Sequence, residues 1–278
     1  MSGTAAARYV MGHNDRERRR LMLQASLINP ITEQLFRRAG IGPGTRVLDV
    51  GCGVGDVALI SARLGADVTG VDIDESALGM AGERAQAEGL ANVRFLASDV
   101  HTLDLPHTFD AITGRHILIH VPDPLGFLQV ARRFLKPGAM AVFQEYDFSV
   151  IHPAYPEAPV RESVFRIFDA FFRRFDRHSV GTRLYRILTD AGFTQIDCRA
   201  EYPLSGDPDS GYHELCVESL RSVLPRLEAL DIVKASELDI DTLEERMLAE
   251  SRANGSVWPL PAMVGAFGFW RPSGAPPH

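Results

Sequence analysis

The chain has 278 residues, 45% hydrophobic and 23% charged, with a formal net charge of −7. That size buries one sizeable core with a smaller appended lobe, and the acidic balance argues against a general nucleic-acid binder, whose surface is normally basic. Cys52, Cys198 and Cys216 are scattered and odd in number, which excludes a disulfide framework and metal-ligand spacing and fits a reducing cytosol.

At the N-terminal end, Arg8 and the run Arg16-Glu17-Arg18-Arg19-Arg20 interrupt any apolar leader, so no signal peptide and a cytoplasmic location are expected. The basic run reads as a solvated helix face or as a cationic rim for an anionic substrate. Leu21, Leu23, Leu27, Ile28, Ile31 and Leu35 follow a helical pattern broken at Asn29-Pro30, which predicts two helices meeting at the proline. Pro43-Gly44 then turns the chain into Val47-Leu48-Asp49-Val50, an apolar strand. Gly51, Gly53 and Gly55 come next, and Val57-Ala58-Leu59-Ile60 restarts the apolar pattern as a helix. Such a turn lets backbone lie close to a ligand, while the helix directs free N–H groups into the same space. Val68-Thr69-Gly70-Val71-Asp72 is a second strand ending in an acid, 23 residues after Asp49. That is near the spacing at which a carboxylate meets ribose hydroxyls. A dinucleotide fingerprint wants glycine three residues after Gly53, where this chain has Asp56. An acid there repels pyrophosphate and tolerates a phosphate-free ligand with a positive centre.

Strands are expected near 46–51, 67–71, 93–97, 109–114 and 139–145, and helices near 55–64, 74–88 and 123–135. Asp74 is a natural N-cap and Gly89 a natural stop. This alternation implies a parallel sheet covered on both faces, with ligands at the strands' carboxyl ends. Beyond 146, Val164, Phe168, Phe171 and Phe175 recur at helical spacing. A helix over 184–191 stops at Gly192, and a strand spans 194–204. Helices near 212–229 and 242–253 follow, the latter opened by Asp241-x-x-Glu244 as a capping box and closed by Gly255. A last strand covers 261–271. The organisation expected is a helical cap over 1–40, a nucleoside-binding core over 41–150, a helical insertion with continuation of the core over 151–204, a second helical cap insertion over 205–256, and the last strand and tail over 257–278.

Asp49-x-Gly51-x-Gly53-x-Gly55 with Asp72, Val93–Val100, Phe109–His116, His120-Val121-Pro122-Asp123-Pro124 and Leu135-Lys136-Pro137-Gly138 together resemble class I S-adenosylmethionine-dependent methyltransferases of the small-molecule, ubiquinone- and menaquinone-type group. The resemblance covers about residues 40–150. It implies an α/β, Rossmann-like, seven-stranded and mostly parallel sheet with an antiparallel last strand and helical cap insertions. It implies S-adenosylmethionine as cofactor, with Asp72 on the ribose, Asp99 on the adenine amino group, and Ile73 and Val100 beside them. Asp49 orients the turn and approaches the methionine ammonium, directly or through water, and backbone at Gly51, Gly53 and Arg115 lines the methionine portion. Tyr9 and Gln24 lie in the segment expected to fold over the cofactor. The implied reaction is in-line methyl transfer to a small, partly apolar metabolite, in which proximity and alignment are worth roughly 7–11 kcal/mol. A non-methylating use, with the cofactor as a cationic prop for a cyclisation or rearrangement, is the alternative. Glu145 is the first candidate base, with His116 and His120 behind it. Arg115 departs from the small residue common at its place, and is expected to clamp an anionic substrate group or to neutralise Asp99 or Glu145. No metal, nucleic acid or membrane partner is expected, and the insertion helices offer a homodimer face.

Overall fold

The computed structural model describes residues 15–106, 108–149 and 157–271, so Tyr9 lies outside the described residues. In chain order the elements are α1 (Asp15–Ala39), β1 (Arg46–Val50), α2 (Asp56–Arg63), β2 (Asp67–Asp72), α3 (Glu75–Ala87), β3 (Val93–Ala97), β4 (Phe109–Arg115), α4 (Pro124–Ala131) and β5 (Leu135–Asp147). There follow α5 (Pro159–Arg173), α6 (Val180–Asp190), β6 (Phe193–Glu201), β7 (Leu204–Ser205), α7 (Tyr212–Ala229), α8 (Ala235–Leu238), α9 (Ile240–Asn254), β8 (Trp258–Pro259) and β9 (Ala262–Trp270). Among the described residues two compact units result: one within 28–145, 180–200 and 264–271, the other within 15–27, 146–179 and 201–263.

The first of these units carries a seven-stranded sheet in the order β3-β2-β1-β4-β5-β9-β6. β1 pairs in parallel with β2 and β4, and the β2–β3 and β4–β5 pairs are parallel too. The last strand, β9, is antiparallel. Strand order reverses between β1 and β4, which is where ligands settle in open α/β sheets. Val47, Val68, Ala111 and Val142 on the strands pack with Leu35, Phe36, Val57 and Ile60 on α1 and α2 in one buried cluster. The caps behave as the sequence implies. Asp74 accepts from the Ser76 and Ala77 amides at 2.9 and 3.1 Å, and Asp123 accepts from the Gly126 amide at 2.9 Å.

The expected break at Pro30 does not occur: α1 is one helix from Asp15 to Ala39 with the proline inside it. Proline removes one backbone hydrogen bond and crowds the preceding turn. Here the ring lies on the exposed side, while Ile28, Leu35 and Phe36 are fully buried on the other. Burial of that stripe outweighs the local cost.

In the other unit α5 buries Val164, Phe168 and Phe171 as the helical spacing predicts. Phe148 stacks on Phe172 at 4.4 Å between ring centroids. The basic run is not uniformly solvated. Arg16 is an exposed partner of Glu218, whereas Arg20 is 4% exposed and donates to Gln24 Oε1 at 3.0 Å. The predicted capping box does not form either. α9 opens at Ile240 behind Asp239, and the Asp241 carboxylate pairs with Arg221 at 2.7 Å. A strong ion partner on α7 wins over a local backbone donor. Among the described residues no helix is long and apolar enough to cross a membrane.

Candidate functional site

The glycine turn after β1 is built from left-handed residues: Gly51, Gly53 and Gly55 have φ of 68°, 51° and 85°. Side chains rarely tolerate this region. The Gly51 and Cys52 amides both donate to the Val71 carbonyl, at 2.8 and 3.1 Å, which ties the turn to the end of β2. The Gly53 amide donates to Asp72 Oδ2 at 2.8 Å, and the Asp74 amide to Asp72 Oδ1 at 3.0 Å. Each carboxylate oxygen has two lone pairs. Asp72 is therefore held in place by backbone and keeps acceptor capacity on both oxygens.

Asp49 is the penultimate residue of β1 and is 1% exposed. The parallel register sets it opposite Thr113 on β4, whose hydroxyl donates to Asp49 Oδ1 at 2.9 Å. Oδ2 is buried without a donor in hydrogen-bonding geometry. Burial pushes this carboxyl up to about 7. The Thr113 bond, the charge of Arg115 and the Ala58 amide oppose the shift, and neighbouring Asp72 adds to it. A buried acceptor with an open lone pair is costly unless a partner arrives.

At the next strand, the Asp72 carbonyl accepts from the Ser98 amide at 2.9 Å, and Asp72 stands in register with Ala97. This brings Ile73, Asp99 and Val100 to the same crest as Asp72. Ile73 is 56% exposed for an isoleucine, and Val100 is buried. Asp99 is exposed and accepts from the His101 amide at 2.9 Å.

Arg115 does not do what its position suggests. Its guanidinium donates to Asn29 Oδ1 and Thr32 Oγ1 on α1, both at 2.8 Å, and pairs with Asp56 at 3.5 Å. It therefore pairs with Asp56 and also lends its charge to Asp49. Arg84 on α3 holds the other Asp56 oxygen at 2.7 Å and donates to the Val54 carbonyl at 2.6 Å. The acid at the entrance of α2 thus sits between two guanidiniums, which offset the charge that the sequence suggested would repel a pyrophosphate. Gln24 lies in the other compact unit, where its Nε2 reaches Tyr146 Oη at 3.4 Å.

At the far side of the switch point, Glu145 is fully buried. Its oxygens accept from the Leu118 amide at 2.8 Å and the Ile119 amide at 3.3 Å. Burial pushes it up to about 8, against the pull of the Leu118, Ile119 and Ile117 amides. A catalytic base must reach the proton it removes. Glu145 turns both oxygens onto the backbone of the turn after β4. His116 and His120 lie on that turn, both half-buried, with His116 at φ 55° and its amide on the Gln144 carbonyl at 2.9 Å.

Thr113, Arg84 and Ile117 were missed by sequence reasoning. Thr113 left a trace, as a polar residue inside an otherwise apolar strand. Arg84 left none, since 28 residues separate it from Asp56.

A family profile described as a methyltransferase domain matches residues 41–192. The ubiquinone biosynthesis O-methyltransferase of Acinetobacter baumannii (strain AYE) is 34% identical over 138 residues, covering 46% of this chain and 58% of that protein. The chain thus spans little more than half the length of such curated relatives. Among solved structures, the phosphoethanolamine N-methyltransferase 2 of Haemonchus contortus, in complex with phosphomonomethylethanolamine and S-adenosylhomocysteine, superposes with TM-score 0.54 at 21% identity, over 87% of this chain and 53% of that one. The YcgJ protein of Bacillus subtilis superposes with TM-score 0.57 at 19% identity, over 87% of this chain and 99% of that one.

Proposed function

This chain belongs to the class I S-adenosylmethionine-dependent methyltransferases, and we propose that it methylates a small, partly apolar metabolite. One observation carries the reading. An unsatisfied buried carboxylate oxygen, a left-handed glycine turn and a backbone-braced second carboxylate meet where the strand order reverses. That donor and acceptor set fits a nucleoside with a positively charged end. When bound, S-adenosylmethionine supplies a methyl group on a sulfonium, open to in-line displacement.

The chain's own residues supply binding and alignment. Asp72 accepts from the two ribose hydroxyls. Asp99 accepts from the adenine amino group, and Ile73 and Val100 flank the ring. Asp49 Oδ2 takes the ammonium, and backbone at Gly51, Gly53 and Arg115 lines the methionine portion. His116 and His120 are the groups available to take a proton if the acceptor is a hydroxyl. The relatives named for O-methyl transfer support hydroxylated aromatic acceptors as the first to try.

The test is incubation with S-adenosylmethionine and a panel of such acceptors, followed by mass spectrometry. The expected result is S-adenosylhomocysteine in equal amount to a methylated acceptor. Saturable cofactor binding with a changed acceptor and no S-adenosylhomocysteine would move the function to a non-methylating reaction.

A further inference from the structure

The turn after β4 carries no regular hydrogen-bond ladder, yet it is held from β5 at two successive residues. The Gln144 carbonyl takes the His116 amide, and the Glu145 carboxylate takes the Leu118 and Ile119 amides. Between these anchors Ile117 is half-buried and lies directly on the glycine turn. A Cβ placed on Gly51 would stand 2.5 Å from Ile117 Cδ1, and one on Gly114 would stand 2.8 Å from Ile117 Cγ2. Gly51 is thus confined on one side by Ile117 and on the other by its amide bond to Val71.

We propose that Glu145 is a positioning residue for the cofactor crest, acting through the 116–120 turn to seat Ile117 on Gly51. The inference rests on the cofactor reading above. Above about pH 8, where Glu145 is ionised, its carboxylate accepts at both oxygens and donates nothing, which suits a row of amide donors. Glutamine in the same place keeps one acceptor and turns an NH2 group towards an amide N–H. That mismatch is buried, where an unmet donor cannot turn to water. The turn must then shift, and Ile117 with it, which loosens the one glycine whose φ of 68° shapes the entrance to the cofactor's methionine end.

The experiment is a double-mutant cycle read by calorimetric titration with S-adenosylhomocysteine at about pH 9, where Glu145 is ionised. It compares wild type, Glu145→Gln, Ile117→Ala and the double variant, each with its thermal midpoint recorded. Each single change is expected to weaken binding by roughly tenfold, and the double variant to be no weaker than the poorer single. A role confined to the fold would lower the midpoint and leave the dissociation constants alone. Ile117→Ala leaves the buried carboxylate untouched, so it reports on the same linkage should Glu145→Gln fail to fold. Wild-type binding with unchanged affinity in Ile117→Ala, or losses that simply add, would overturn this inference alone. A wild-type protein that does not bind S-adenosylhomocysteine would overturn the cofactor reading and this inference together.

Discussion

Two buried carboxylates stand at carboxyl ends of the same sheet in opposite circumstances. Asp49 on β1 and Glu145 on β5 are both almost wholly inaccessible, and burial raises both, to about 7 and about 8. Glu145 accepts from amides at both oxygens, while Asp49 accepts from Thr113 at one oxygen and has no donor in hydrogen-bonding geometry at the other. Burial and a raised pKa therefore do not by themselves mark a reactive group. The wiring separates them: a buried carboxylate with a backbone amide on each oxygen shapes the fold, and a buried one with an oxygen that no donor meets awaits a ligand.

The strongest way to break this contrast lies at the third carboxylate, Asp72. It is braced by two amides yet keeps open acceptor sites. Asp72→Ala removes both ribose acceptors and the anchor of Gly53, and should weaken S-adenosylmethionine binding by roughly a hundredfold or more. Calorimetry with the folded variant checks this, and unchanged affinity would remove Asp72 from the ribose.

Asp49→Asn comes next. It keeps a partner for Thr113 and removes the charge that meets the ammonium, so affinity at pH 8 should fall by roughly ten- to a hundredfold. The wild type carries a pH signature that this variant lacks. In the free protein Asp49 is protonated below about 7. Holding an ammonium favours the charged form, so affinity should decline as pH falls below that value. An equal pH profile for both proteins would contradict the assignment.

Folding stability separates the two carboxylates further. Folding raises Asp49 from 3.8 to about 7 and Glu145 from 4.5 to about 8. In those windows the folded chain binds more protons than the unfolded one, so these groups lose stability as pH rises from about 4 to about 8. Saturating cofactor holds Asp49 charged and should cancel its share of the slope, leaving that of Glu145. Denaturant titrations across this range, with and without S-adenosylhomocysteine, measure the difference. The smallest effect belongs to Thr113→Val, which strips the only well-formed donor from Asp49 and should cost about 1–3 kcal/mol by the same titrations.

The halves of this contrast were unequally legible in the sequence. Asp49, the glycines and Asp72 lie in two short segments whose strand and turn patterns are local, so both fold and ligand class could be read from them. The Thr113 bond depends on the register of β1 against β4, and the Arg84–Asp56–Arg115 chain on two helices and a strand far apart in sequence. Neither is encoded by spacing. Glu145 was placed correctly at a strand end, but an acidic letter does not say whether its oxygens face a cleft or a row of amides. Pro30 and Asp241 failed for a related reason, since burial of an apolar stripe and an ion partner on α7 overrode local helix rules.

The contrast is tested most directly by titrating wild-type protein with S-adenosylmethionine near pH 6.5 in two buffers of different ionisation heat. An open, protonated Asp49 predicts saturable binding with net release of a proton, and loss of that release in Asp49→Asn. Binding without proton release, or no saturable binding, would contradict the account.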